Sequence, residues 1–546
     1  MMIRPKAVNY IFGAIYSLAI VLGYECEYFG EIKAGKALTY VFILLIFAAA
    51  TLFSAVAYEW FDKHIKSDRC VTIKAEDQNS EDKNALKKHE ALLYIFIIWL
   101  LYFIVLLGVY PGFFVYDAQD ELMEVVIRSF SNQQPIAHVL LLGGILQAVH
   151  KLTGDYNTAI FIYLLLQETF ISAILGLLVS FLRKEGLKRR WGVLLSVYFG
   201  AFPVLTMYAL CSAKDGLFGT FLVVFGFYVR KLIKEGESFF DKKINPALLT
   251  ITGVLLILLR SNAIYAYVIF GIVLLASLRK ICFKKLLPVV IITLAAGLLI
   301  NTALLSVTKA EKVGHKEILT VPIQVLARVY AYDNASLSAD EKSEIEKYID
   351  KDALKTYNPK CSDPVKAGFI EEAYESDKKG FYGILFKEIT KHPVSALDAW
   401  LMTAYGLFYP NATIDGYKGN TVFTFTYGDS SYFGYETEEP GVRASKIPFI
   451  DSLYRWLSLD VTIQHTTIVR YLFSPGFMLL LFIFLLGYLI YAGVAIRLMP
   501  YMLPLICILT CLIGPMSLVR YSYYLWIFVP LLWHEIHHLK LGTDNE

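Results

Sequence analysis

Four carboxylates crowd the stretch Tyr110-Pro-Gly-Phe-Phe-Val-Tyr-Asp-Ala-Gln-Asp-Glu-Leu-Met-Glu124, just past the end of a long apolar run. Asp117, Asp120, Glu121 and Glu124 follow an i, i+3, i+4, i+7 spacing, which on a helix is one face, while Ala118, Leu122, Val125 and Val126 fall on another. The pattern predicts an amphipathic helix at a membrane surface. A carboxylate at that boundary, Asp117 above all, can act as a general base if burial and like-charged neighbours raise its proton affinity toward working pH. A plainer alternative makes Asp117 an N-cap, with Asp120 at the third helical position and the other acids a solvated face.

Cationic side chains recur at the ends of other apolar runs, in Lys214-Asp215, Arg260-Ser-Asn262 and Arg520-Tyr521. A charged residue at the end of a span snorkels at little cost, so each alone reads as an anchor. Their arrival on the acidic stretch's side of the membrane is what suggests a site. Arginine offers a phosphate a planar fork and lysine a point charge, so Lys214, Arg260 and Arg520 suit an anionic ligand, with Arg328 a further candidate from the polar insertion. Asp120, Glu121 and Asp215 offer oxygen ligands to a divalent cation such as magnesium or manganese, although no spacing demands a metal. The seven cysteines show no paired metal spacing, and Cys507 and Cys511 lie inside an apolar run, which suggests packing.

These residues need a membrane scaffold to bring them together. The chain of 546 residues is 56% hydrophobic and 15% aromatic, with many runs long enough to cross a bilayer of about 30 Å. A net charge of +3 spread over short clusters between those runs excludes nucleic acid as a partner and reports topology instead. Expected spans are 8–25, 38–57, 91–110, 157–182, 191–210, 213–232, 246–260, 263–278, 286–306, 470–493, 499–517 and 521–537, about twelve crossings in an all-α polytopic membrane protein. The apolar segment 136–150, with His138, Gln147 and His150, is read as a surface or re-entrant helix. Were it to cross, the basic clusters Arg183 to Arg190, Arg230 to Lys243 and Arg279 to Lys285 would all lie outside, against the positive-inside rule. Both termini are then cytoplasmic. The first run follows Arg4 and Lys6 and lacks a small-residue cleavage site, so it reads as a retained anchor.

The resulting organisation is an N-terminal hairpin (1–57), a charged cytoplasmic loop (58–90), a transmembrane core (91–306) whose first outer loop spans 111–156, a mixed, mainly helical extracytoplasmic domain (307–467), and C-terminal spans with a short tail (468–546). In the outer domain, Ser338-Ala-Asp-Glu341 is a capping box that starts a helix to about Tyr348. Asp363-Pro364 reads as an N-cap with proline at the first helical position, and Pro393 interrupts a helical pattern. Tyr409 to Tyr435, rich in Thr, Tyr, Phe and Gly, suggests a hairpin or ordered loops.

The chain resembles the GT-C superfamily of polytopic membrane glycosyltransferases, and within it an uncharacterised bacterial branch. The motifs that carry this are the Tyr110-Pro-Gly…Asp117…Gln119 loop, Gln134-Pro-Ile-Ala-His138, Ser212-Ala-Lys-Asp215, Leu259-Arg-Ser-Asn262, Pro322-Ile-Gln-Val-Leu-Ala-Arg328, Asp363-Pro-Val-Lys366 and Gly514-Pro515…Arg520-Tyr521. They run in order over roughly residues 90–537, leaving the first hairpin outside. The resemblance implies a catalytic acid in the first outer loop, at Asp117, and a sugar donor carried on a polyprenyl phosphate. It further implies a glycan, lipid or protein acceptor at the outer face of a bacterial plasma membrane. Lys214, Arg260, Arg520 and Arg328 would hold the donor phosphate, and Asp120, Glu121, Asp215, Asn262, Tyr521 and His138 would line the substrate.

Two other classes compete. A transporter or flippase of lipid-linked sugars would be favoured by charged or Gly/Pro-broken spans in matching halves, whereas spans such as 91–110 and 286–306 carry no charge at mid-membrane. A membrane O-acyltransferase would need a positioned intramembrane histidine, and His138 sits in the short surface segment.

Overall fold

A computed structural model of the chain describes residues 5–76, 86–414, 437–459 and 465–538. The chain is all-α; among the described residues there are isolated β-bridges but no strands. Apolar runs fold this way because backbone N–H and C=O groups in hydrocarbon have no water to bond and must pair within their own segment.

Among the described residues seven helices are long and apolar enough to cross a membrane. They include α1 (Ala7–Phe29), α2 (Ala37–Glu76) and α3 (Leu86–Gly108), which cover the first three expected spans. Next come α4 (Ala118–Ile127), the short acidic helix, and α5 (Ile136–Thr153), the disputed segment. By length and composition α5 qualifies as a span. Gln134, just before it, meets Lys214, and Asn157, just after it, exchanges 2.8 Å hydrogen bonds with the backbone of Val442, which lies beside the end of α3. Both ends of α5 are thus tied to loops beside the end of α3.

Helix α6 (Tyr156–Lys184) is a full-length span, but the expected span 191–210 is two helices, α7 (Arg189–Ala201) and α8 (Pro203–Ala209), bent by 61°. Pro203 causes the break: it lacks an N–H, its ring clashes with the preceding turn, and Phe202 before it is extended. Helices α9 (Asp215–Glu235) and α12 (Phe283–Thr308) belong to long apolar spans, whereas α10 (Ile244–Leu259) and α11 (Ala263–Ser277) between them are shorter. Against the twelve expected crossings, seven helices among the described residues pass on length and composition, or eight with the bent pair as one, and Ile244–Leu259, Ala263–Ser277, Pro475–Tyr491 and Ala495–Cys511 are shorter apolar helices.

The polar insertion after α12, expected as the outer domain, has its own apolar core, built on Ile323, Leu326, Ile345, Tyr348 and Phe381. Its helices are α13 (Thr320–Tyr332), α14 (Ala339–Tyr348), α15 (Lys351–Lys355), α16 (Asp363–Lys366), α17 (Glu371–Ser376), α18 (Lys378–Lys391) and α19 (Pro393–Ala404). The Ser338–Glu341 capping box is present, and Pro393 opens α19 after α18 ends. At α16 the cap is Ser362, one residue earlier than expected, with Asp363 inside the helix. The segment expected as a hairpin falls outside the described residues from 415 onward. Backbone contacts are among those that dock the domain. Ser362 N–H donates to Pro515 O at 3.0 Å. Ile32 N–H, between α1 and α2, donates to Asp398 Oδ1 at 2.7 Å.

Residues 437–447 lie as a strap along the end of α3, with Glu438 N–H on Phe114 O (2.7 Å), Ala444 N–H on Tyr110 O (2.9 Å) and Lys446 N–H on Leu107 O (2.9 Å). Helix α20 (Pro448–Leu459) continues beside α3. The last helices are α21 (Val469–Phe473), α22 (Pro475–Tyr491), α23 (Met499–Cys511) and α24 (Leu525–His537), so the expected span 470–493 is interrupted at Ser474-Pro475.

Candidate polar site at the loop-bearing end of the bundle

Two backbone pairings bring the acidic loop to the cations. Phe113 N–H donates to Leu210 O (3.1 Å) and Ser212 N–H to Phe113 O (2.9 Å), which ties the stretch after α3 to the turn between α8 and α9. Gln167 of α6 holds that turn from below, its Nε2 donating to Ala209 O and Cys211 O at 2.9 and 2.7 Å. Gly216 lets the turn close tightly, since a Cβ there would stand 2.2 Å from Tyr208 O. Lys214 and Asp215 are thereby set beside Asp117.

Asp117 Oδ2 takes two cations, Lys214 Nζ at 3.0 Å and Arg520 Nη2 at 3.1 Å. Arg520 Nε also faces Asp215 Oδ2 (3.3 Å), whose Oδ1 faces Arg260 Nη1 (3.6 Å). Aromatic rings fix the guanidiniums: Arg520 lies 4.5 Å from the Tyr116 ring centroid, and Arg260 lies 5.1 Å from Tyr521 and 5.3 Å from Phe218. Lys214, Asp215, Arg260 and Arg520 are buried, and Asp117 keeps a quarter of its side chain accessible. The charges alternate in sign along the chain of contacts, which is how buried ions are tolerated.

Asp117 does cap α4 by position, but its side chain makes no capping hydrogen bond, so the plain N-cap reading does not describe it. Nor do its surroundings make it more basic. Burial alone would raise its proton affinity. Lys214 first, then Arg520, by charge and by hydrogen bond, outweigh burial and hold the carboxyl well below the usual carboxylate range.

A family model matches residues 126–541, well over half of the chain. The chain belongs to DUF6020, a family of unknown function. The matched region of this DUF6020 protein contains Lys214, Asp215, Arg260 and Arg520 and begins after Asp117 and the first turns of α4. No curated protein and no solved structure matches the chain.

Other expected residues divide in this DUF6020 chain. Glu121 and His138 join the cluster: both are fully buried, Glu121 Oε2 pairs with His138 Nδ1, Glu121 Oε1 lies 3.8 Å from Lys214 Nζ, and Tyr163 Oη lies 3.3 Å from His138 Nε2. His138 is thus an interior group. Tyr521 lies between the two arginines, and Asn262 turns to Thr510 Oγ1 at 2.9 Å. Asp120 is exposed. Arg328 is elsewhere. It is buried in the outer domain, where Nη2 meets Asp398 Oδ2 (3.2 Å) and Gly30 O (3.0 Å), so it pins the domain to the first hairpin and is not brought to the phosphate candidates.

The carboxylates considered for a divalent cation do not fit one. Asp215 already faces two guanidiniums, Glu121 faces a lysine and a histidine, and Asp120 is exposed at the surface. Among the described residues the one metal-compatible grouping is His315, Glu371 and Glu375 of the outer domain, partly exposed and apart from this cluster.

Two carboxylates escaped the sequence reading. Glu438, on the strap, is buried beside the acidic loop; the backbone N–H groups of Gln119 and Tyr116 donate to it, and its Oε2 has no hydrogen-bond partner among the described residues. Burial first, then the negative charges of Asp117 and Asp120, push its carboxyl up to about 8 despite those amides. Glu168, near the middle of α6, is fully buried with neither oxygen hydrogen-bonded among the described residues. The first has no motif around it; the second was visible as a lone acid in an apolar run.

Proposed function

We propose that this DUF6020 protein is a membrane glycosyltransferase. It moves a sugar from a polyprenyl-phosphate carrier to a hydroxyl of a cell-envelope glycan, lipid or protein, on the non-cytoplasmic side of a bacterial plasma membrane. The observation that carries the reading is the convergence of Lys214, Arg260 and Arg520, from three separate parts of the chain, on one buried cluster open at Asp117. The GT-C resemblance supplies the reaction.

Displacement at the sugar's C1 leaves a lipid phosphate with growing negative charge. Cations already oriented by rings and carboxylates stabilise that charge without reorganising. In the resting protein Asp117 and Asp215 neutralise them. A donor phosphate shares Lys214 and Arg520 with Asp117, which stays ionised and faces the acceptor. Asp117 meets the acceptor hydroxyl and withdraws its proton as the new bond forms.

The test is transfer by purified protein in liposomes from polyprenyl phosphate carrying glucose, mannose or arabinose to cell-envelope glycan. Arg260→Ala and Arg520→Ala should each weaken donor use roughly ten- to hundred-fold, the equivalent of one charge-assisted hydrogen bond of about 1.5–3 kcal/mol. Lysine should restore only part, having no fork. Normal transfer by both alanine variants would return the arginines to structural ion pairs.

A second reading, a flippase of lipid-linked sugars, is favoured by Glu168, because an ionisable group buried within a span commonly marks a transport path. Movement of lipid-linked sugar across the liposome without transfer, abolished by Glu168→Gln, would select it.

A further inference from the structure

Asp117 is well placed to meet an acceptor and poorly placed to keep its proton. While Lys214 and Arg520 hold Oδ2, a proton on this carboxyl is costly, and a base that cannot retain the proton is a weak one. The same loop offers a second destination. Tyr116 and Gln119 flank Asp117 in the chain, and their backbone amides hold the carboxylate of Glu438. Glu438 is itself fixed by its N–H on Phe114 O, so the strap and the acidic loop are bonded at the residues on either side of Asp117.

Resting on the transferase reading, we infer that Glu438 is the terminal proton acceptor of the reaction, receiving through Asp117 the proton of the acceptor hydroxyl. The balance is simple. The acceptor O–H bond breaks and the proton passes from Asp117 to the ionised Glu438. The acceptor oxygen bonds to the sugar's C1, and the C1–O bond to the phosphate breaks with its electron pair kept by the lipid phosphate. Glu438 then releases the proton to water at the accessible side of Asp117.

The charged and titratable groups around Glu438 support this direction of transfer. Asp117 and Asp120 of the acidic loop repel its negative form, and Cys211 of the turn before α9 lies near enough to feel its charge. Burial acts with them, so its carboxyl titrates at about 8, above Asp117, and the transfer runs downhill. A group titrating near working pH accepts and releases a proton with comparable ease.

Turnover and donor KM are measured from about pH 6 to about pH 9 for the full-length protein in liposomes with the same three donors. For the wild type, turnover should rise with pH and level above about 8. Glu438→Gln should lower turnover by at least ~10²-fold and flatten that limb with donor KM little changed, while Glu438→Asp keeps a titrating limb at reduced rate. Asp117→Asn should lower turnover without flattening the limb. Binding of polyprenyl phosphate, which needs no transfer, shows that each variant is folded. Near-wild-type turnover for Glu438→Gln overturns the inference and leaves the transferase reading standing. Absence of wild-type transfer from all three donors overturns both.

Discussion

Asp117 and Glu438 are adjacent carboxyls shifted in opposite directions, and stability should register both shifts without reference to catalysis. Asp117's proton affinity is lower in the folded protein than its ordinary value of 3.8, so its ion pairs stabilise the fold above that pH and the gain is lost as pH falls through the lower, folded value. Asp117→Asn should therefore lower the thermal midpoint at neutral pH and narrow the gap to wild type in acid. Glu438 has the opposite sign: its folded value of about 8 exceeds the ordinary 4.5, so stability is full below about 4.5 and declines as pH rises through 8. Glu438→Gln should remove that decline, its midpoint overtaking the wild type's in mild alkali. Parallel wild-type and variant curves would mean that Glu438 titrates as an exposed acid does.

Among elements, the turn between α8 and α9 decides whether there is a site at all, since it places both Lys214 and Asp215. Gly216→Ala would push a methyl into Tyr208 O, an overpacking that typically costs about 1–3 kcal/mol, and should depress the thermal midpoint and donor use together. A midpoint and donor KM equal to wild type would show that α9 can shift freely. The sequence made part of this legible. Lys214, Arg260 and Arg520 were readable because a cation at the end of an apolar run is conspicuous, and α14 because a capping box is a local signal. Glu438 was not, because nothing within ten residues marks it and its partners lie more than three hundred residues earlier. Arg328 misled for the same reason: its partner Asp398 is remote in sequence, and an arginine reads alike whether it awaits a phosphate or already holds a carboxylate. The break at Pro203 was legible as a proline and missed because the flanking residues are uniformly apolar.

For the molecule as a whole, whether α5 crosses the membrane decides the sidedness of everything after it. Cysteines replacing Gln133 and Lys312 should react from outside with an impermeant thiol reagent and one replacing Lys188 should not; the native Cys26, Cys211, Cys282, Cys361, Cys507 and Cys511 are buried. Labelling of the Lys188 position from outside would make α5 a crossing. The outer domain gives a second global test. Arg328→Ala leaves Asp398 buried and unpaired, which should destabilise by about 3–5 kcal/mol, whereas Arg328→Met with Asp398→Leu should recover most of that. Protease resistance of the outer domain measures this. Unchanged binding of polyprenyl phosphate in the double variant would complete the separation of Arg328 from the cationic cluster.

The contact between Ile32 and Asp398 also sets a schedule. The two residues are 366 positions apart, and synthesis at about 5–20 residues per second makes the first hairpin wait roughly 20–70 s for the residue that secures its loop. Through that interval α1 and α2 must remain in the bilayer on their own apolar contacts, with the Ile32 amide bonded to water. Conditions that slow the ribosome within this window would lengthen the exposure of the hairpin, the part of the chain ahead of the region the family shares.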